Sequence, residues 1–406
     1  MENTKQYKAD KVLTVYHNAD TDGIMSAILA IRAKKLVMKN KSINYIDNFD
    51  WSIIGYNYGK KIEKDPWLAL VDSENNLIYN YIQFVDITPP LEYLKKCLPY
   101  LISGKLSIDI FDHHANVYKD INELLEKEIY QMKYSISFNY YYNDKYSGAF
   151  IYWNSLFNSN WIIDRFQFLF AHKIKEENIF SNFKNSILKP LNKYNISEYG
   201  IIVKGIKQTI SDDINTSEMY NLIGIVSQWD TWAWYKSKYS KALYFNEGFM
   251  KLFKVNSNEN IHNLYNRIFL GNDKFNNHFL NNTIDYGEPL SAINFEISKT
   301  TKHELFSFAG WNFVAINKSA NYYDTEHVKQ KYYGKYLDAV VYYTTSLLNN
   351  TVNISIRSIT DLVDCNKVVK MMTNGFGGGH FSAAGGQTSV NEFFNLVIEP
   401  IDETKI

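Results

Sequence analysis

The first third of the chain contains three short, mostly apolar runs, each followed by an acidic residue or a histidine. These runs and the residues that follow them are 12–16 with His17, 82–85 with Asp86, and 106–111 with Asp112. Such runs are typical of strands that are buried on both faces of a parallel sheet. Helical patterns at 23–36 and 91–101 separate them. The alternation predicts an α/β fold with an N-terminal doubly wound, mostly parallel sheet.

The apolar period changes after about residue 290, which predicts a second, smaller α/β domain. Its strand-like and helical segments, in order, are 313–316, 339–343, 352–357 and 366–372, followed by a glycine cluster at 375–379. Before it, a helical pattern at 220–229 leads to Asp230, and less regular helical sequence follows. We therefore predict a first domain at 1–240 with an insertion or cap at about 155–220, a helical connector at 241–290, and a second domain at 291–406.

Composition narrows the class of protein. The chain has 406 residues, 46% of them hydrophobic, and 43 basic residues balance 43 acidic ones. No apolar run of about 18 residues is present, so a soluble protein without a membrane span is expected. Cys97 and Cys365 form no metal-type pair and the start of the chain is polar, which favours the cytoplasm. The balanced charge argues against a grip on long nucleic acid, so a nucleic-acid substrate should be short.

The segment HNADTDG, residues 17–23, offers three potential metal ligands where a strand should turn into a helix. Imidazole nitrogen and carboxylate oxygen without thiolate suit Mn²⁺ or Mg²⁺ better than a structural zinc site. Gly23 would allow a tight turn after the last ligand. A purely structural alternative is open, in which Asp20 and Asp22 cap the following helix.

Two further acidic strand ends are candidates for the same site. Asp86 follows an apolar run and precedes two prolines, a position that a simple turn would also explain. The segment DIFDHH, residues 109–114, places two adjacent histidines directly after a buried-type strand. Because ligand-binding groups gather at the carboxyl ends of parallel strands, we expect these residues to share one metal or phosphate site.

These residues resemble the DHH phosphoesterase superfamily. Asp112-His113-His114 is similar to the motif that names the family, and the other motifs occur in order: His17, Asp20 and Asp22, then Asp86, then Asp230 within QWDTW. Near the C-terminus, GGGH at 377–380, followed by AAG at 383–385, resembles the DHHA1 signature, and SIRS at 355–358 resembles the strand before it. The combination is most similar to oligoribonucleases (nanoRNases) and small-nucleotide phosphodiesterases.

The resemblance implies two divalent cations, Mn²⁺ first, with Mg²⁺ and Co²⁺ as alternatives. His17 and Asp20 would hold one cation, Asp22, His113 and Asp230 would hold the other, and Asp86 would bridge them. His114 would touch the scissile phosphate or protonate the leaving oxygen. Asp112 would orient a ligating imidazole, with a helix cap as the structural alternative.

In the second domain the resemblance implies a substrate-binding set, namely Arg357, Ser358, Gly377, Gly378, Gly379 and His380. Successive glycines let backbone N–H groups approach an anion, although a plain glycine turn would explain them as well. Arg357 would supply a fork-shaped phosphate donor.

The function implied is hydrolysis of short oligonucleotides, or of linear or cyclic dinucleotides, to mononucleotides. Three alternatives stay open: a pyrophosphatase or polyphosphatase, a single-strand exonuclease, and an inactive nucleotide-binding protein. Neither a long nucleic-acid partner nor a membrane partner is expected, and a homodimer is compatible with the sequence.

Overall fold

The computed structural model describes residues 11–39, 50–56, 70–74, 76–114, 138–143, 145–157, 217–231, 233–234, 240–253, 258–270, 274–360, 362–375, 377–379, 381–396 and 398–402. The chain divides into two compact units, Met1–Glu288 and Pro289–Ile406. The predicted insertion lies, from 158 to 216, outside the described residues. The division into a catalytic domain, a connector and a second domain stays a prediction.

A five-stranded parallel sheet forms the centre of the first unit. Its strands are β1 (Lys11–His17), β2 (Asp50–Tyr56), β3 (Tyr81–Val85), β4 (Ser107–Asp112) and β5 (Phe138–Tyr142). The strand order is β2-β1-β3-β4-β5, and every pairing is parallel. The order reverses between β1 and β3, and ligands of open α/β sheets bind at the carboxyl ends of the strands at such a point.

Helices cover both faces of this sheet. The helices that follow β1, β3 and β5 are α1 (Thr21–Lys39), α2 (Leu91–Ile102) and α3 (Gly148–Phe157). Leu13, Ile82 and Ile108 point toward α2, where they share one core with Leu94 and Leu101. Each fully buried aliphatic side chain of this kind contributes about 1.5–3 kcal/mol. On the other face, α1 and α3 pack against the strands. The predicted α/β class and the parallel sheet are confirmed.

Further helices and a short hairpin follow in the described part of the chain. They are α4 (Ser217–Asp230), α5 (Lys241–Leu252), α6 (Asn258–Ile268), β6 (Phe269–Leu270), β7 (Lys274–Phe275) and α7 (Asn277–Ser298). Helices α5 and α7 cross with their backbones in contact. Glycine at 287 permits this, since a Cβ there would lie 1.8 Å from the Tyr244 carbonyl oxygen. None of the described helices combines the length and the apolarity needed to cross a bilayer.

The second unit contains a seven-stranded mixed sheet. Its elements are β8 (Glu304–Phe308), β9 (Trp311–Ile316), α8 (Tyr322–Lys331), β10 (Ala339–Ser346), β11 (Thr351–Ser358), α9 (Cys365–Met372), β12 (Gly377–Gly379), β13 (Ala383–Ser389), α10 (Val390–Phe394) and β14 (Glu399–Pro400). The order is β12-β13-β11-β10-β9-β8-β14, and only β9 and β10 pair in parallel among these strands. Helix α9 covers one face through Val368 and Val369, and α8 covers the other through Val328. This second α/β unit is the one that the sequence predicts.

Candidate metal centre

The carboxyl ends of β1, β3 and β4 meet at the point where the strand order reverses, and the six predicted metal-binding residues gather there. They form two groups, His17 with Asp20 and Asp86, and Asp22 with His113 and Asp230, and a third, overlapping group joins Asp86 with Asp112, His113 and His114. Within each group the potential donor atoms lie within 4.8 Å of one another. The structure therefore brings together residues that are distant in sequence. Which of them share a cation stays a prediction.

Asp86 lies between the two groups. One carboxylate oxygen is 3.7 Å from His17 Nδ1 and the other is 3.3 Å from His113 Nε2. The residue is 1% exposed, and neither oxygen accepts a hydrogen bond of good geometry from the described residues. Its backbone is in the left-handed region at φ 56° and is fixed by an N–H bond to the Phe111 carbonyl oxygen. A buried carboxylate in this setting fits a shared cation.

Asp20 performs two tasks at the end of β1. Its Oδ1 accepts a 2.9 Å hydrogen bond from the Gly23 N–H, which caps α1. Its Oδ2 lies 2.8 Å from His17 Nδ1. The capping interpretation is therefore correct for one oxygen, while the other oxygen faces the candidate ligand group. A Cβ on Gly23 would lie 1.7 Å from the His17 carbonyl oxygen, so only glycine permits this close start of α1.

The second group joins β4, α1 and α4. His113 Nε2 is 3.0 Å from an oxygen of Asp230, the last residue of α4. Asp22 is 1% exposed, and both of its oxygens accept the Ala149 N–H, at 3.2 and 3.3 Å. The N-terminus of α3 thus stabilises the buried Asp22 carboxylate, as expected for an anion at the positive end of a helix.

The start of α3 contacts three of the elements that carry candidate ligands. Ser147 caps the helix by accepting the Phe150 N–H at 3.4 Å, and its own N–H donates to Ser227 Oγ on α4 at 3.1 Å. A Cβ on Gly148 would lie 2.5 Å from the Asp86 Cα, so glycine is required at this position. The sequence interpretation missed this segment. The available signal was a serine followed by a helical apolar run, which marks a helix start but no function.

Charge crowding in the cluster shifts its pKa values. Burial, reinforced by Asp86 and Asp230, raises the pKa of Asp22 well above its usual range. Burial alone would lower the pKa of His113, but Asp230 and Asp86 more than offset it and raise that pKa. Burial would raise the pKa of Asp86, yet contacts with His113 and His17 outweigh it and lower that pKa. A divalent cation satisfies the same carboxylates, so its binding would release protons.

Asp112 holds His114 rather than His113 through side-chain contacts. Its Oδ1 lies 2.6 Å from His114 Nδ1 and accepts the His113 backbone N–H at 2.8 Å. Its Oδ2 accepts the Thr88 hydroxyl. The His114 side chain is 23% exposed while that of His113 is 4% exposed. Burial would lower the pKa of His114, but Asp112 outweighs it and raises that pKa.

The predicted substrate-binding residues of the second unit lie on β11 and β12. Arg357 on β11 pairs with Ala383 of β13, and its guanidinium donates to the Ile356 carbonyl oxygen at 3.1 Å. The Ser358 hydroxyl donates to the Thr360 carbonyl oxygen. His380 lies outside the described residues.

The glycines at 377–379 form the edge strand β12 rather than a free turn. Gly379 has φ 150°, and a Cβ there would lie 2.5 Å from the Ala383 carbonyl oxygen. Gly378 differs, because a Cβ at that residue would approach nothing closer than Asn366 Oδ1, at 3.9 Å, among the described residues. Packing thus requires glycine at 379 but not at 378.

Neither a protein-family model nor a curated protein sequence matches this chain. Among solved structures, it is similar to CDC45 from Entamoeba histolytica, with 11% identity, a TM-score of 0.41, and 95% of this chain and 93% of that chain covered. It is also similar to PggH, a pGpG-specific phosphodiesterase from Vibrio cholerae, with 10% identity, a TM-score of 0.32, and coverage of 94% and 95%. A putative family II inorganic pyrophosphatase from Methanococcus jannaschii has 10% identity, a TM-score of 0.20 and 93% coverage of both chains. These sequence identities and TM-scores are too low to assign a function to this chain. The relation to the DHH superfamily therefore remains a resemblance.

Proposed function

We propose that this protein is a metal-dependent phosphoesterase that hydrolyses phosphodiester bonds in short oligonucleotides, or in linear or cyclic dinucleotides, to mononucleotides. The observation that supports this most strongly is the position of Asp86 between two groups of potential ligands. Two cations held on either side of one carboxylate can activate a water and stabilise both the attacking and the leaving oxygen of a phosphate.

The donor set favours Mn²⁺, with Mg²⁺ and Co²⁺ as alternatives. All six candidate ligands offer carboxylate oxygen or imidazole nitrogen, and neither cysteine belongs to the cluster. Such donors suit divalent cations that prefer oxygen and nitrogen over thiolate. In this proposal His17 and Asp20 would hold one cation, Asp22, His113 and Asp230 would hold the other, and Asp86 would bridge them.

His114 is the proposed proton donor to the leaving oxygen. Its raised pKa favours the protonated ring near neutral pH, and the cause of that rise is the Asp112 carboxylate, which outweighs burial. Since Nδ1 faces Asp112 at 2.6 Å, Nε2 is the nitrogen that would deliver the proton. Asp112 thus fixes the ring and supplies the charge that keeps the proton on it.

Substrate recognition is assigned to the second unit as part of the same proposal. Arg357 would bind a phosphate, and the N–H groups of the edge strand β12 would approach the same nucleotide. Ser358 and His380 complete the proposed substrate-binding set. The equal numbers of acidic and basic residues support a short substrate over a long polyanion.

The test is a hydrolysis assay of the full chain with Mn²⁺. The substrates are oligonucleotides ranging from dinucleotides to about twenty nucleotides, long enough to fill a single-strand groove, together with a cyclic dinucleotide and pyrophosphate. We expect the fastest release of mononucleotides from dinucleotides. Faster turnover of pyrophosphate would favour a pyrophosphatase. Hydrolysis rates that rise with oligonucleotide length would favour an exonuclease. Nucleotide binding without hydrolysis would favour a nucleotide-binding protein.

A further inference from the structure

A buried polar layer crosses the first sheet just beneath the candidate metal centre. Its core members lie opposite one another in the sheet register on β1, β3 and β4. They are Thr14, Gln83 and Asp109, which precede His17, Asp86 and Asp112 by three positions each. All three core members are at most 3% exposed. Polar groups in such a place persist only when they are hydrogen-bonded.

The hydrogen bonds of this layer all run in one direction. Trp51 Nε1 donates to Thr14 Oγ1 at 2.8 Å, and the Thr14 hydroxyl donates to Gln83 Oε1 at 3.0 Å. Gln83 Nε2 then donates to the Tyr81 hydroxyl at 2.7 Å, and Tyr81 donates to Asp109 Oδ2 at 2.7 Å. Such a chain has a single proton arrangement, and its bonds polarise one another, which makes it rigid.

One member of the layer comes from a helix rather than from the sheet. The Tyr152 hydroxyl of α3 donates to Gln83 Oε1 at 3.0 Å. Tyr152 lies about one helical turn beyond Gly148, which touches the Asp86 backbone. Ala149, next to Gly148, donates to Asp22. Helix α3 is therefore held against β3 at two points one helical turn apart, by the contact at Gly148 and by the hydrogen bond from Tyr152 to Gln83.

We infer that Tyr152 and Gln83 are positioning residues for the metal pair. Their hydrogen bond holds the first turn of α3 where Gly148 supports Asp86 and Ala149 orients Asp22. Without it, α3 can shift along β3, and the carboxylates of the two ligand groups separate. This inference rests on the proposed function, because it concerns the spacing of the two cations.

The test compares two tyrosine substitutions on opposite faces of the same sheet. Tyr152→Phe removes the hydroxyl that bonds Gln83, whereas Tyr93→Phe removes a buried hydroxyl from α2, where Tyr93 packs edge-on against Phe84. Mn²⁺ affinity and stoichiometry are measured by titration calorimetry on the full chain. Electron paramagnetic resonance then distinguishes magnetically coupled Mn²⁺ ions from isolated ones, and thermal unfolding reports stability.

We expect both variants to unfold at lower temperature than the unchanged protein. Only Tyr152→Phe should lower the affinity for at least one Mn²⁺, by about tenfold or more, and replace part of the coupled signal by that of isolated ions. Unchanged affinity and coupling in Tyr152→Phe, or an equal change in Tyr93→Phe, would overturn the inference.

Two controls keep the result interpretable. If the unchanged protein binds no Mn²⁺ pair, the proposed function itself fails, and this is visible before any variant is made. If Tyr152→Phe does not fold, Gln83→Met removes the acceptor of the same hydrogen bond. We expect it to weaken Mn²⁺ binding in the same direction, and unchanged binding would overturn the inference.

Discussion

Two equally buried aspartates, Asp86 in the first unit and Asp324 in the second, differ in what surrounds them. Each is 1% exposed. The Asp324 carboxylate accepts from Lys318 at 2.6 Å, from Asn321 at 2.6 Å and from the Thr301 hydroxyl at 2.9 Å. Asp86 has imidazoles at 3.3 and 3.7 Å, and the negative charges of Asp22 and Asp230 act on the same cluster.

The groups around a buried carboxylate distinguish a structural charge from a functional one. A buried carboxylate needs a partner of opposite charge or several donors. Asp324 finds a permanent cation and two neutral donors within its own unit. Among the described residues, the Asp86 carboxylate has two imidazoles beside it that can lose their protons, and it lies among other carboxylates. A cation from solution would balance the charges around Asp86. Asp324 needs no such cation, because Lys318 already neutralises it.

Substituting the two aspartates gives the largest contrast. Asp86→Asn should reduce hydrolysis by about 10³-fold or more, as when a group that stabilises the transition state is lost, and leave the metal-free fold intact. Asp324→Asn should reduce the free energy of unfolding by about 1–3 kcal/mol and leave the rate per folded molecule unchanged. The measurements are kcat and urea unfolding. An Asp86→Asn variant with full activity would show that the site is misplaced.

Substituting His114 tests the chemistry apart from metal binding. His114→Gln should lower kcat by about 10²–10⁴-fold, because a general acid typically contributes a rate acceleration of that size. The Mn²⁺ affinity should be unchanged. Asp112→Asn should move the alkaline limb of the pH–rate profile to lower pH, because the Asp112 carboxylate is what raises the pKa of His114.

The matched control for that test is His303→Gln in the second unit. His303 lies 2.7 Å from the Tyr332 hydroxyl, and its substitution should leave kcat unchanged. A loss of Mn²⁺ binding in His114→Gln would contradict its role as a proton donor.

A pair of glycines sharpens the same comparison between the units. Gly148→Ala places a Cβ 2.5 Å from the Asp86 Cα, so α3 must move, and we expect Mn²⁺ affinity to fall about 10- to 100-fold. Gly378→Ala meets only Asn366 Oδ1 at 3.9 Å and should change the free energy of unfolding by less than about 0.5 kcal/mol. Calorimetric titration with Mn²⁺ and urea unfolding measure the two effects. Equal Mn²⁺ affinities in both variants would contradict the role of α3.

The pH dependence of Mn²⁺ binding tests the charge balance of the cluster without any substitution. The pKa values of His17, His113, Asp22 and Asp230 are all raised, so cations must displace protons. Binding should tighten as pH rises, about tenfold per pH unit for each proton released. Titrations in buffers of different ionisation enthalpy count those protons. A Mn²⁺ affinity that does not change between mildly acidic and neutral pH would contradict the displacement of protons from the cluster.

Stability of the metal-free protein should show the opposite trend. Because the imidazole pKa values are raised in the folded state, their contribution to stability is present below the unfolded value of about 6.5 and is lost as pH rises through the folded values. Excess Mn²⁺ should remove that loss. Thermal unfolding across neutral pH, with and without Mn²⁺, measures both trends.

Local patterns were sufficient to predict the strands that carry the candidate ligands. Strands β1, β3 and β4 are short, mostly apolar segments, and His17, Asp86 and Asp112 stand at or directly after their carboxyl ends. Strand β2, DWSIIGY, and strand β5, FNYYY, were missed because polar or small residues interrupt them. Their place is set by pairing with β1 and β4, which no local pattern contains.

The parts of the site that escaped prediction depend on contacts between distant residues. The bond from Ala149 to Asp22 spans 127 positions, and the bond from Tyr152 to Gln83 spans 69. A sequence shows that Ser147 can begin a helix, but it does not show which carboxylate that helix will meet. The polar layer was missed for the same reason, since Thr14 and Gln83 are ordinary strand residues until the register aligns them.

The most direct test of the central claim is anomalous diffraction from Mn²⁺-soaked crystals of the full chain, recorded at the manganese edge. We expect two peaks about 3.5–4 Å apart, one beside His17 and Asp20 and the other beside His113 and Asp230, with Asp86 between them. A single peak, two peaks elsewhere in the chain, or an empty cluster at saturating Mn²⁺ would contradict it.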